Sequence, residues 1–163
     1  LEDKAEEYEW SDLSLKSVAE SIAERLKHSA GKENISISVS GDNGNITAPE
    51  RLVDDIIYNL CDNAVKYNRF GGEVKIKITD STDESEISVK DSGIGIPPDE
   101  LDRIFGRFYR IDKSRSKLVG GTGLGLSIVK HGAGYCNAKI GIKSEVGIGT
   151  EITVTFPKNT DRK

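Results

Sequence analysis

Residues 50–67 read Glu50-Arg-Leu-Val-Asp-Asp-Ile-Ile-Tyr-Asn59-Leu-Cys-Asp-Asn63-Ala-Val-Lys66-Tyr67. After Pro49, the apolar side chains Leu52, Val53, Ile56, Ile57, Leu60, Ala64 and Val65 recur three and four apart, so the stretch predicts an amphipathic helix ending near Tyr67. Asn59, Asn63 and Lys66, four and three apart, form a polar row close beside that apolar stripe. On the edge of a cleft, asparagine carbonyl oxygens can bind Mg²⁺ and a lysine can reach a phosphate. The same row suits an ordinary solvated helix face, so the rest of the chain decides.

Outward from this helix the elements follow in order. Leu15, Val18, Ala19, Ile22 and Leu26 predict a first helix over residues 14–30, with Gly31 suited to its stop. Ile35, Ile37 and Val39 alternate with serines as in a half-buried strand, which ends in the turn-rich Gly41-Asp-Asn-Gly44. Gly71-Gly72 breaks the long helix. Val74, Ile76 and Ile78, then Ile87 and Val89, predict two neighbouring strands joined by the polar stretch 80–86, and Pro97-Pro98 opens a short helical turn. A third main helix begins at Ser127, and two last strands occupy 138–143 and 150–156. No repeat is present. The order predicts an α+β two-layer sandwich: a mixed, mostly antiparallel sheet of about five strands, about three helices on one face, and a polar opposite face. Gly132-Ala-Gly134 lies inside the third helix, where each interior glycine costs about 1 kcal/mol relative to alanine, so that helix is expected to fray or end early.

The composition sets limits. A chain of 163 residues, 36% hydrophobic and 31% charged, suits one soluble globular domain, expected over residues 1–157 with a tail at 158–163. No apolar run approaches the roughly 18 residues of a membrane helix. Cys61 and Cys136 have no metal-ligand spacing; Cys61 falls in the apolar helical pattern, as a buried free thiol in a reducing cytosol would. Beginning at Leu1 and lacking methionine, the chain reads as a piece of a longer protein. The net charge of −4 argues against nucleic acid as a partner. Within it, Arg103, Arg107, Arg110, Lys113, Arg115 and Lys117 face only Asp112, a basic segment on an acidic body. That segment reads either as a solvated loop or as a mobile arm drawn to a polyphosphate or an acidic partner.

Two glycine motifs add chemistry. Gly121-Thr-Gly-Leu-Gly-Leu126 directly precedes the third helix, where close backbone approach and unpaired N–H groups suit an anion. Asp91-Ser-Gly93-Ile-Gly95-Ile96 follows a strand, and a carboxylate there can accept a hydrogen bond from an adenine amino group, which guanine lacks at that position. Taken singly, the first is equally a loop and the second a capped turn. No Lys-Ser/Thr pair follows Gly125, and Leu126 stands where a dinucleotide fingerprint wants Gly or Ala, so neither common nucleotide signature fits.

The ordered set is more specific than its parts: Asn59 to Tyr67, Asp91 to Ile96, Phe105-Gly-Arg107-Phe-Tyr-Arg110, Gly121 to Leu126, and Gly147-Ile-Gly-Thr150. Over about residues 8–157 it resembles the ATP-binding catalytic domain of two-component sensor histidine kinases, in the superfamily shared with type II topoisomerases, the heat-shock chaperone ATPase and mismatch-repair ATPases. The resemblance implies a Bergerat-type fold with ATP and Mg²⁺ as cofactors. Asn59 and Asn63 would hold Mg²⁺, Lys66 would contact phosphate, and Tyr67 would pack near the nucleotide. Asp91 would hold the adenine amino group, with Gly93, Gly95 and Ile96 around the base and Thr150 under it. Gly121, Thr122, Gly123, Leu124, Gly125 and Leu126 would line the triphosphate. Residues 103–120 would form a flexible lid anchored by Phe105 and Phe108, with Arg107 or Arg110 reaching the γ-phosphate.

Hydrolytic members of that superfamily resemble one another in placing glutamate four residues before the second asparagine, as a general base for water. This chain has Asn59 there, and an amide cannot take that proton. The resemblance therefore implies transfer to a histidine on a dimerisation and phosphoacceptor domain, for relay to the receiver domain of a response regulator, in a membrane-anchored parent. His28 and His131 lack the following acid of the family's acceptor histidine, so negligible autophosphorylation of this chain is expected. A hydrolytic ATPase, a non-catalytic nucleotide-binding regulator and a serine kinase acting on a regulatory protein are the rival readings.

Overall fold

The computed structural model describes residues 8–98 and 125–158. Among the described residues ten elements follow in chain order: β1 (Trp10–Ser14), α1 (Leu15–Lys32), β2 (Ser36–Gly41), β3 (Asn45–Pro49), α2 (Glu50–Lys66), β4 (Glu73–Asp80), β5 (Glu84–Asp91), α3 (Gly125–Tyr135), β6 (Lys139–Glu145) and β7 (Gly149–Pro157). Five strands form one sheet in the order β2-β4-β5-β7-β6, antiparallel except for the parallel β2–β4 pair. The helices cover one face of it, and the alternation along β4, buried at Val74, Ile76 and Ile78 and exposed at Lys75 and Lys77, leaves the other face polar. This is the expected α+β sandwich.

The core lies between helices and sheet. Leu15, Ile22, Ile56, Ile57, Leu60, Ile76, Ile78, Ile87 and Phe156 are fully buried in it, each such side chain contributing about 1.5–3 kcal/mol relative to exposure. The stripe read from residues 52–65 is the buried face of α2, and the polar row beside it stays partly exposed. Both cysteines are free and buried; burial raises the Cys61 thiol to about 12, helped by the Asp62 charge, and the Cys136 thiol to about 11.

Four local features differ from expectation. A second, two-stranded antiparallel sheet pairs β1 with β3 in the register Trp10↔Pro49 to Ser14↔Asn45, and no periodicity announces it. The stop of α1 is not Gly31. The helix runs to Lys32, and Asn34 takes the left-handed conformation at φ 57° while Asn34 and Ile35 donate back to Gly31 and Ala30. Helix α3 does not fray at its glycines: it continues through Gly132 and Gly134 to Tyr135, closed in the same way by Asn137 at φ 60° and an Ala138-to-Ala133 hydrogen bond. Its glycine has a packing reason, because a Cβ at Gly132 would stand 3.1 Å from Ile56 Cγ1 on α2. Finally, Lys158, expected in the tail, is tied to the sheet by a hydrogen bond from its N–H to Asp83 and an ion pair with Asp80 at 3.5 Å.

Candidate nucleotide-binding site

Three parts of the chain converge at one end of the sheet: the C-terminus of α2, the loop leaving β5, and the β6–β7 hairpin. Asp91 ends β5 and pairs in register with Thr150 of β7, which pairs with Ser144 of β6. The Asp91 carboxylate accepts from Gly93 N–H at 2.8 Å and from Thr150 N–H at 3.3 Å, and both bonds fall on Oδ1. Burial pushes this carboxyl up to about 6, while the two backbone donors pull it the other way. The second oxygen, Oδ2, takes part in neither bond and offers an acceptor to an exocyclic amine.

Thr150 is nearly buried, and its hydroxyl lies 2.7 Å from Ser144 Oγ. Ser144 also accepts from Ile96 N–H at 2.7 Å and reaches the Gly149 carbonyl at 3.1 Å, so Asp91, Thr150, Ser144 and Ile96 form one connected polar set. A cavity of about 210 Å³ opens beside it, lined by Asp91, Ser144, Thr150, Gly149 and Ile148 among others. The loop glycines are fixed by the protein's own backbone. A Cβ at Gly93 would fall 2.2 Å from the Tyr67 carbonyl, and Gly95, at φ 79°, would set one 2.3 Å from the Glu145 carbonyl. Tyr67 caps α2 and its carbonyl accepts from Ile94 N–H at 3.2 Å, which ties the helix end to this loop.

Along α2 the polar row is internally committed. Asn59 donates its amide N–H to the Asp55 carbonyl at 2.7 Å, and Lys66 pairs with Asp62 at 3.0 Å. With its nitrogen engaged, the Asn59 carbonyl oxygen is the atom left to serve as the hard donor that Mg²⁺ takes, and Asn63 stands one turn on, so the chemistry of the pair fits that ion. Helix α3 packs across α2, and Ser127, Ile128, His131 and Gly132 face Leu52 and Asp55 across a groove of about 450 Å³. Gly125 opens α3 and Leu126 packs against the core. Arg107, Arg110, Gly121, Thr122, Gly123 and Leu124, and the lid residues 103–120, lie outside the described residues.

Residues 48–160 match the family model described as histidine kinase-, DNA gyrase B- and HSP90-like ATPase. The chain belongs to that family. Among curated proteins similar to this chain, the sensor-like histidine kinase SenX3 of Mycolicibacterium smegmatis is 39% identical over 89% of this chain and 38% of its own length. The histidine protein kinase SaeS of Staphylococcus aureus is 37% identical over 90% and 42% respectively. The chain thus spans about two fifths of the length of these relatives. Among solved structures, full-length ShkA in complex with AMPPNP superposes with a TM-score of 0.82 at 27% identity, covering 98% of this chain and 33% of that one. The nucleotide-free catalytic domain of the histidine kinase ThkA shares the fold, with a TM-score of 0.80 over 92% of this chain and 98% of its own at 24% identity.

Within this ATPase-family scaffold, sequence reading missed Ser144, Asn68 and Arg69. Asn68 is buried, donating to the Glu73 carbonyl at 3.0 Å and accepting from Arg69 N–H at 2.8 Å and Ser92 Oγ at 3.2 Å. No spacing rule flags these residues, whose partners are mostly backbone groups rather than side chains at a fixed interval.

Proposed function

We propose that the chain is the ATP-binding catalytic module of a sensor histidine kinase, which binds Mg²⁺-ATP and donates the γ-phosphoryl group to a histidine on a dimerisation domain outside this chain, for relay to a response regulator receiver domain. The observation that carries the reading is Asn59, an amide where a hydrolase needs a base. Its N–H is spent on its own helix, and its oxygen cannot remove a proton from water at neutral pH.

In this reading Asp91 accepts from the adenine amino group and Thr150 lies under the base. Asn59 and Asn63 hold the metal, which when bound neutralises phosphate charge. Lys66 leaves Asp62 for a phosphate oxygen, and the backbone from Gly121 to Gly125 lines the triphosphate. Arg107 or Arg110 reaches the γ-phosphate. The chain's contribution is orientation and electrostatics, and the incoming imidazole attacks phosphorus in line with ADP leaving. The parent is proposed to be membrane-anchored with this domain on the cytoplasmic side; among the described residues no helix is long and apolar enough to cross a membrane.

The test is radiolabel transfer from Mg²⁺-ATP to an added acceptor domain of a close relative, together with free phosphate release. Transfer that disappears in Asn63→Ala supports the kinase. Steady phosphate release without transfer, abolished by the same substitution, would make it a hydrolase instead, and Mg²⁺-dependent ATP binding with neither would make it a non-catalytic regulator.

A further inference from the structure

Arg69 follows the end of α2 by three residues and is exposed, yet its guanidinium takes three backbone carbonyls. Nε donates to Ser92 at 2.9 Å, and Nη2 donates to Gly93 at 3.0 Å and to Gly147 at 2.6 Å. The first two carbonyls belong to the loop that follows Asp91, and the third to the tip of the β6–β7 hairpin, 78 residues away, whose second strand carries Thr150. Gly147 N–H donates to the Ile94 carbonyl at 2.9 Å beside this bridge, and Ser144 accepts from Ile96 N–H further along, so among the described residues the arginine adds to a small set of bonds that join loop and hairpin. The arginine is itself anchored: its N–H donates to buried Asn68, and its carbonyl accepts from Gly72 N–H at 2.9 Å.

We propose that Arg69 is a positioning residue for the base end of the nucleotide site, clamping the β5 loop to the β6–β7 hairpin so that Asp91 and Thr150 hold the spacing that admits adenine. The role rests on the ATP-site reading above. A planar guanidinium can serve three carbonyls from one fixed fork, whereas a lysine ammonium on the same stem reaches fewer at once. Its charge strengthens each bond relative to a neutral donor. Among the described residues the guanidinium's hydrogen bonds all fall on the β5 loop and the β6–β7 hairpin, so the role assigned to it is confined to recognition of the base.

Calorimetry on the 163-residue chain tests this with Mg²⁺-ATP, ADP and inorganic tripolyphosphate, comparing wild type with Arg69→Ala and Arg69→Lys. The expected result is ATP and ADP affinity about tenfold weaker in Arg69→Ala, intermediate in Arg69→Lys, with tripolyphosphate affinity unchanged. Amide exchange at Gly147 should quicken in Arg69→Ala while exchange in α1 and β4 stays as in wild type. An equal loss for tripolyphosphate, or slowed exchange nowhere but quickened exchange throughout the sheet, would reduce Arg69 to a general stabiliser and overturn the proposal. Unchanged ADP affinity with a loosened Gly147 would overturn it too. If wild type bound neither ATP nor ADP, the ATP-site reading would fall first and this role with it.

Discussion

A single carboxylate carries the conflict between stability and binding. Asp91 is held at about 6 by burial, above its ordinary 3.8. Below about pH 4 both the folded and the unfolded chain hold the proton; between 4 and 6 only the folded chain does; above 6 the fold carries a buried charge. The group therefore favours the fold at low pH, and that contribution is lost as pH rises through 6. Asp91→Asn, which keeps an oxygen for Gly93 and Thr150, should raise the stability of the ligand-free chain at pH 7.5 by about 1–2 kcal/mol and leave it unchanged at pH 4, as denaturant titration would show. The same variant turns an amide donor toward the adenine amino group and should weaken ATP binding about a hundredfold or more. Wild-type ATP affinity should fall as pH drops below 6, a slope absent from the variant. Asp91, Gly93 and Gly95 stood out in the sequence only within the ordered set of motifs, because alone a carboxylate and two glycines after a strand read equally as a capped turn. Ser144 and Arg69 did not stand out, since a serine accepting from a backbone N–H and an arginine donating to backbone carbonyls leave no pattern in side-chain spacing.

At the level of elements, periodicity located what has a buried face and missed what does not. The stripes of α1 and α2 and the alternation of β4, β5 and β7 follow directly from burial on one side. The strand pair β1–β3 escaped because Trp-Ser-Asp-Leu-Ser and Asn-Ile-Thr-Ala-Pro are short and rich in polar residues, and their paired positions, from Ser14↔Asn45 to Trp10↔Pro49, lie 31 to 39 residues apart. Alternation also gives faces, not partners, so the parallel β2–β4 pairing could not be read from it. In α3 the propensity argument lost to packing, and its two glycines differ accordingly. A Cβ at Gly132 would meet fully buried Ile56, whereas one at Gly134 would meet nothing within 4 Å. Gly134→Ala should therefore stabilise by about 0.5–1 kcal/mol, raising the thermal midpoint by a few degrees. Gly132→Ala should gain less than that, and Gly132→Val should destabilise by about 1–3 kcal/mol as α3 is forced off α2. Equal midpoints for the two alanine variants would mean that Gly132 has no packing role.

For the whole molecule, the family assignment and the length of its relatives together make binding and transfer separable. The chain matches about two fifths of each curated kinase, and that share includes the match to the ATPase family over residues 48–160. A site that orients ATP without a base or an acceptor should bind well and turn over little. Mg²⁺-ATP at a hundred times its dissociation constant stabilises a folded binder by about 2.7 kcal/mol, which for a chain of this size raises the midpoint by roughly 5–10 °C. Removal of Mg²⁺ with a chelator should abolish most of that shift if Asn59 and Asn63 hold the ion. Incubated alone with labelled ATP, the chain should remain unlabelled. His28 is exposed on α1, and His131, also exposed, lines the groove with Ser127 and Asp55. His131 is thus the more stringent control. Acid-labile label on the wild-type chain that vanishes in His131→Ala would show the module to be self-sufficient and would remove the need for an acceptor elsewhere. Label that appears only when an acceptor domain is added, and survives His131→Ala, would leave this chain as the donor half of a divided active site.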